Sequence, residues 1–349
     1  MKHAVATALI VGFGIAAPAW AGPKVYVPMG GADEVLVIDG GQDKIVGSIK
    51  AITESHGLAG SADGRFLISG SLDEFDVSAK IPPKPEGMAQ DEHEAHHGGG
   101  AARTAPKQGT VSYLTLINAQ TRVIERRIEV PGAVHHMLIT PQDRFAVATH
   151  PNNNGISVVD LQTYKVKSVA TGPIPNYAAV SPDGAYVYVS NAGNNTISQL
   201  DTARWIVRKN IEVGDAPEHM ALSVDGKTMY VNNTGDGTVS VIAWPEGRVI
   251  NTYRVGGDIH GLDLSEDGRT LYVAGREDNK LTTVDLATGT VAHMPLGPSP
   301  YHLATITGTG KVYVSSAEED KIWVVDAKTL RVLTEIPVPD RAHQMVVAQ

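Results

Sequence analysis

The chain is 349 residues long, carries 38 Asp and Glu against 29 Lys and Arg for a formal charge of −9, and contains no cysteine. The missing thiols exclude disulfides, iron–sulfur clusters, a thioether-attached c-type haem and a lipidated N-terminal cysteine, so any metal must be held by His, Met or carboxylate. No block of basic residues is present, which argues against nucleic acid as a partner.

In chain order, the first feature reads as an export signal over residues 1–21. Lys2 opens it, an apolar stretch runs from Ala4 to Ala17, and Ala19-Trp20-Ala21 fits the small-x-small cleavage rule. Cleavage there would leave a mature chain of 22–349. No later run reaches the roughly 18 apolar residues of a membrane span, so the reading is a periplasmic or secreted protein without an integral membrane segment.

Three short β-runs follow, Lys24–Met29, Glu34–Asp39 and Lys44–Lys50. After them a segment recurs: SADGRFLISGS (61–71), TPQDRFAVATH (140–150), SPDGAYVYVSN (181–191), SVDGKTMYVNN (223–233), SEDGRTLYVAG (265–275) and TGTGKVYVSSA (307–317). Each copy leads into two further β-rich runs bounded by Gly, Asp, Asn and Pro, with no helical periodicity. Four short strands in about 42 residues make one blade of a β-propeller. The three N-terminal strands lack an inner one and His343–Val347 is an inner strand lacking the other three. Pairing the chain ends completes a seventh blade and closes the ring, which removes exposed edges. The expected fold is therefore all-β, a single seven-bladed propeller over 22–349. Asp63, Asp183, Asp225 and Asp267 fall in Asp-Gly hairpin turns and read as structural.

The second blade is interrupted over 72–108 by a segment rich in Pro, Gly and charge that carries Met88, Asp91, His93, His96 and His97. Short His-rich tracts suggest accessory metal capture, and a solvated linker is the plainer alternative. By propeller geometry this loop lies on the face where the inner strands begin.

One pattern does not follow from the fold. The residues opening the inner strands are His56, His136, Asn176, His219, His260, His302 and His343, spaced 40, 43, 41, 42 and 41 from His136 onward, with His135 beside His136. Inner strands line the channel, so these side chains should converge at one mouth. Neutral imidazole is a common metal ligand, and copper binds it most tightly of the divalent series. Many imidazoles at close range repel once protonated, and a bound cation removes the conflict. Imidazole ligation predicts metal affinity falling between about pH 7 and about pH 5. Asn176, His150 and Arg276 are candidate ligand contacts at the same mouth.

The segments YVYVSN, MYVNNT and KVYVSS resemble the YVTN-repeat β-propellers over nearly all of 22–349, a superfamily that includes the haem d1 domains of cytochrome cd1 nitrite reductases. The histidine ring resembles the copper-cluster propeller of nitrous oxide reductase, in which an adjacent pair, here His135-His136, joins five further histidines, here His56, His219, His260, His302 and His343. Copper-dependent thiocyanate dehydrogenase also uses channel histidines in such a fold. The chain departs from nitrous oxide reductase in lacking a cysteine-based copper domain. Three functions stay open at this stage. One is a copper protein, either an oxidoreductase served by a separate electron carrier or a copper carrier served by a metallochaperone. The second is haem d1 binding or biosynthesis, with His56, His136 or His219 as axial ligand and Arg276 and Arg341 near the haem carboxylates. The third is an envelope scaffold without metal.

Overall fold

A computed structural model describes residues 22–76, 109–223, 225–244 and 246–348. Residues 1–21, read from the sequence as an export signal, and residues 77–108, with Met88, Asp91, His93, His96 and His97, lie outside the described residues. The first five residues of the interrupting segment are seen: Phe75–Asp76 forms a short strand on Thr110–Asn118.

The strands form seven antiparallel sheets arranged as blades. The first blade orders as Val346–Ala348, Lys24–Met29, Glu34–Asp39 and Lys44–Lys50, so the ring closes by pairing the two ends of the chain, as the repeat count requires. The remaining blades each begin with an inner strand, at Ser55–Gly60, Met137–Ile139, Pro175–Val180, Pro217–Leu222, Ile259–Leu264 and Pro300–Ile306. The final inner strand is shorter than expected. His343 lies between an isolated bridge, Met29 to Ala342, and the regular pairing that begins at Val346.

Within the blades the second and third strands are the buried ones, as in YVYVSN over Tyr186–Asn191 and TISQLD over Thr196–Asp201, while fourth strands such as Ile206–Glu212 are largely exposed. The apolar clusters sit between blades. Val25, Ile38, Tyr313, Ile322 and Val324 join the first blade to the seventh, and Tyr188, Ile197, Met229 and Val231 join the fourth to the fifth. At roughly 25 cal/mol for each Å² of apolar surface removed from water, these interfaces hold the ring together. The Asp-Gly turns are structural. Ser181, Ser223 and Ser265 donate hydroxyl hydrogen bonds to Asp183, Asp225 and Asp267. Those bonds, with the amide two residues on, hold the three carboxyls below the usual range.

The detail that matters for function is an irregularity at the mouth end of the inner strands. Pro175 pairs with Asn191 and the ladder resumes at Ala178 with Val189, so two residues, Asn176 and Tyr177, stand against one. The same bulge occurs at Pro217/Met220, Ile259/Leu262 and Pro300/Leu303. In a regular strand neighbours point to opposite faces, and a bulge breaks that rule and lets two adjacent residues serve one site. Each blade therefore contributes two mouth positions.

Two of these positions must be glycine because the next inner strand passes too close. A Cβ on Gly57 would lie 2.8 Å from the carbonyl oxygen of His135, and one on Gly261 would lie 2.6 Å from that of Tyr301. Both contacts are with backbone, which cannot swing away. Gly57→Ala and Gly261→Ala should each destabilise the fold by about 1–3 kcal/mol, the usual range for overpacking. Urea unfolding checks this, and wild-type midpoints would show that the inner strands can separate.

Candidate metal centre

Aligning the blades by their bulges assigns the mouth residues to two tiers. The first tier is His56, His135, Asn176, Glu218, His260, Tyr301 and His343. The second is Gly57, His136, Tyr177, His219, Gly261, His302 and Gln344. The expectation of one equivalent position per blade is corrected by this register. Asn176 corresponds to His135 and Glu218, and Tyr177 corresponds to His136 and His219. The seven histidines occupy two adjacent positions. The physical reason is the bulge, which turns both positions toward the channel.

All seven imidazoles meet in one buried cluster. His56 lies 4.2 Å from His343 and 4.7 Å from His135 between ring centroids. His219 lies 4.8 Å from His136, 4.5 Å from His260 and 5.0 Å from His302. Each of the seven is less than 5% exposed. Two trios, His56/His135/His136 and His136/His219/His302, place one ring nitrogen from each residue within 4.8 Å of one another.

The neighbouring blade decides which nitrogen points inward. His136 Nδ1 is 3.1 Å from the carbonyl oxygen of Asn176, and His219 Nδ1 is 3.1 Å from that of His260. A carbonyl only accepts, so both Nδ1 atoms carry the proton and donate. Each Nε2 of the neutral ring is then a bare lone pair. These two Nε2 atoms face each other at 3.2 Å. Two lone pairs at that distance repel unless a cation stands with them, either a proton on one ring or a metal ion beside both. Protonation is opposed by the surroundings. Burial, then the neighbouring His135, His219 and His302, push the His136 pKa well below its ordinary value, and burial brings His219 down to about 4. His136 and His219 are therefore held as neutral imidazoles with an Nε2 lone pair available to a ligand. The expected loss of metal affinity between about pH 7 and 5 moves lower for the same reason, toward the pKa of about 4 that burial gives His219.

Several members were not legible as site residues in the sequence. Glu218 Oε2 lies 3.0 Å from His260 Nδ1, the carboxylate–imidazole arrangement that orients metal-binding histidines. Burial pushes the Glu218 carboxyl up to about 8. Tyr301 stacks on His260 at 4.1 Å with 10° between planes, and Tyr177 meets His136 and His219 edge-on at 4.9 Å. Gln344 reaches under the cluster, accepting from the amide of Leu58 at 3.1 Å and donating to the carbonyl of Met137 at 3.1 Å. The irregular spacing of 40 and 43 was the available signal, since PNYAAVS laid on PEHMALS puts Tyr177 opposite His219.

The other candidates divide. Asn176 is in the first tier, with its amide oxygen buried and without a hydrogen-bond partner among the described residues. Arg276 lies at the rim, its guanidinium 5.6 Å from the Tyr301 ring and 3.4 Å from Asp258. His150 stands apart. Its Nδ1 donates to the Ala133 carbonyl at 2.9 Å and its Nε2 accepts from the Ser157 hydroxyl at 2.8 Å, so both nitrogens are occupied. His293 lies on an outer strand and pairs with Thr282.

The acid limb of stability follows. Free histidine titrates near 6.5, while His219 and His150 titrate near 4 in the fold. Between those values the unfolded chain binds more protons, so stability is complete above pH 6.5, is lost as pH falls toward 4, and is flat below. Each group contributes up to roughly 3 kcal/mol. Glu218 acts with the opposite sign, opposing folding as pH rises from 4.5 to about 8. Urea unfolding in chelator should show the acid limb, and His219→Asn should reduce it. An unchanged limb in that variant would place the lost stability elsewhere.

Comparison with known proteins places this geometry. A family model described as Lactonase, 7-bladed beta-propeller matches residues 101–326. Among solved structures, the Pseudomonas aeruginosa periplasmic gluconolactonase PpgL aligns at 18% identity over 94% of this chain and 99% of that one, with a TM-score of 0.67. Kuenenia stuttgartiensis hydrazine synthase aligns at 18% identity over 84% of this chain and 95% of that one, TM-score 0.66. The dihydro-heme d1 dehydrogenase NirN, solved in complex with DHE, aligns at 13% identity over 90% of this chain and 63% of that one, TM-score 0.62. No curated protein sequence matches the chain. Identities this low speak for a shared fold, and chemistry has to be argued from the site.

Proposed function

The chain belongs to the lactonase family of seven-bladed β-propellers, and on that scaffold we propose that it is an exported copper-binding protein whose metal is held by His56, His135, His136, His219, His260, His302 and His343. The observation that carries this reading is the pair of bare Nε2 atoms of His136 and His219 facing each other at 3.2 Å, each with its Nδ1 committed to a carbonyl. A metal ion answers that arrangement directly. The donor set of neutral imidazoles with no thiolate suits copper among the divalent ions.

The setting favours a resident centre over a shuttle. The ligands sit on backbone bulges locked by inter-blade hydrogen bonds, and releasing an ion would require buried side chains to move. Asn176, the one amide in the first tier, is the natural place for a substrate or water to enter the coordination sphere. A centre of this kind in a chain without cysteine would exchange electrons with a separate carrier.

The lactonase name in the family does not by itself carry an activity to this mouth. Seven imidazoles filling it differ from a site built to cradle a sugar ring. Haem d1 is the second reading, motivated by NirN and its bound DHE. It needs cations for the macrocycle's carboxylates; the described connections at the mouth supply Arg276 and Arg341, and Lys280 and Lys321 at the adjoining strand ends are already paired with Asp278 and Glu319. No helix among the described residues is long and apolar enough to cross a membrane. The export reading of residues 1–21 and the periplasmic setting named for PpgL both support a periplasmic site of action.

Elemental analysis of untagged protein should find copper in the wild type and its loss in a His136→Ala, His219→Ala double variant. His150→Ala should keep the metal, because that residue lies outside the cluster. Wild-type protein that remains metal-free after copper loading would overturn the reading and turn attention to haem d1.

A further inference from the structure

The two faces of the ring differ sharply in charge. Inner strands begin at the mouth, so in each antiparallel blade the connections from second to third strand and from fourth to the next inner strand open on that face. Those described connections are 30–33, 51–54, 72–74, 132–136, 151–154, 171–174, 192–195, 213–216, 234–237, 255–258, 276–279, 296–299, 317–320 and 338–345. They hold thirteen Asp and Glu, two Arg and no Lys. The described connections on the opposite face hold eight acids and nine bases. All of the net negative charge of the described connections is therefore gathered around the histidine cluster, with Asp258, Asp278 and Glu319 ion-paired to Arg276, Lys280 and Lys321.

A ring of acids is not itself a binding site, and here a second observation gives it a direction. Beneath the rim lie the facing Nε2 lone pairs of His136 and His219 and the buried amide oxygen of Asn176, which accepts no hydrogen bond from the described residues. Rim and floor thus favour the same sign of ligand. Charges spread over one face add to a field of several kT, which raises the local concentration and capture rate of an oppositely charged species.

We propose that the acidic rim is the capture surface for a hydrated divalent metal cation, which it draws to the mouth and delivers to the histidine cluster. This inference rests on the reading of the cluster as a metal centre. It adds the side from which the ion arrives and the sign of what the mouth admits: cations and neutral molecules are favoured, anions are repelled. The acids are not distributed evenly. The connections 132–136, 151–154, 171–174, 192–195 and 296–299 carry none, so among the described residues the acids run from the fifth blade round to the second with one gap between the sixth and seventh, and leave an uncharged sector beside Asn176 through which a neutral substrate can approach.

The test uses acids whose side chains do not hold the fold. Asp215, Glu277, Glu318 and Asp320 are exposed rim residues. An Asp215→Asn, Glu277→Gln, Glu318→Gln, Asp320→Asn variant and the wild type, both full-length and metal-free, are mixed with Cu²⁺ alone in a stopped-flow instrument, at low and high ionic strength. Salt screens such a field over about 10 Å at 0.1 M. The wild-type loading rate should fall on the order of tenfold with added salt. The variant should load several-fold more slowly at low salt and converge with the wild type at high salt. Both should reach the same final copper content. Equal, salt-independent rates would overturn the capture role while leaving the histidine centre standing. A lower final copper content in the variant would also overturn it, by making these acids ligands. No uptake by either protein would overturn the centre and the capture role together.

Discussion

The site depends on one contact repeated between blades, the hydrogen bond from a histidine Nδ1 to a carbonyl on the next inner strand. His136 donates to Asn176 and His219 to His260. Each bond fixes the tautomer, the ring orientation and the direction of the remaining nitrogen at once. It also ties the floor of the mouth to the spacing of the blades, because the acceptor belongs to a different sheet from the donor. Thr149 and Asn232, at corresponding positions on the second strands of the donor blades, donate to the same two carbonyls, so those acceptors are held from two sides. The acceptors are backbone carbonyls of the inner strands, so the ring orientations follow the positions of those strands.

The fold was almost fully legible in the sequence. The recurring Asp-Gly turn, the alternating strand pattern and the three N-terminal strands short of a partner specify a seven-bladed ring closed end to end, since each is a local signal with a direct steric cause. The site was legible in composition and not in register. Seven histidines near the starts of inner strands could be counted, but counting assumed one inward position per blade. A bulge supplies two, and bulges leave little trace in a single sequence. Glu218 and Tyr177 were hidden by that assumption. Gln344 and Tyr301 were hidden because nothing in their type announces a place beneath or beside a histidine cluster. His150 illustrates the reverse error: it lies close in sequence to His135 and His136, yet its second-strand position turns it onto Ala133 and Ser157.

Within a family named for lactone chemistry, this chain fills the mouth of the ring with seven histidines. The propeller lends itself to this because the blades pack through their second and third strands, leaving the mouth ends of the inner strands free to vary. Gly57 and Gly261 mark where that freedom stops. At these positions the backbone of the neighbouring inner strand approaches so closely that no side chain fits.

The closure of the ring has a consequence for the life history of the protein. His343 reaches the cluster on the segment that zips against Lys24–Met29, so the histidine cluster is completed by the same pairing that completes the first blade. An ion that prefers the full cluster to a partial one must, by linkage, also favour the closed ring over an open one. The metal would then act as a latch, binding weakly to a chain still being threaded or assembled and firmly to one whose ends have met. Loading with such an ion and locking of the architecture would then be one event.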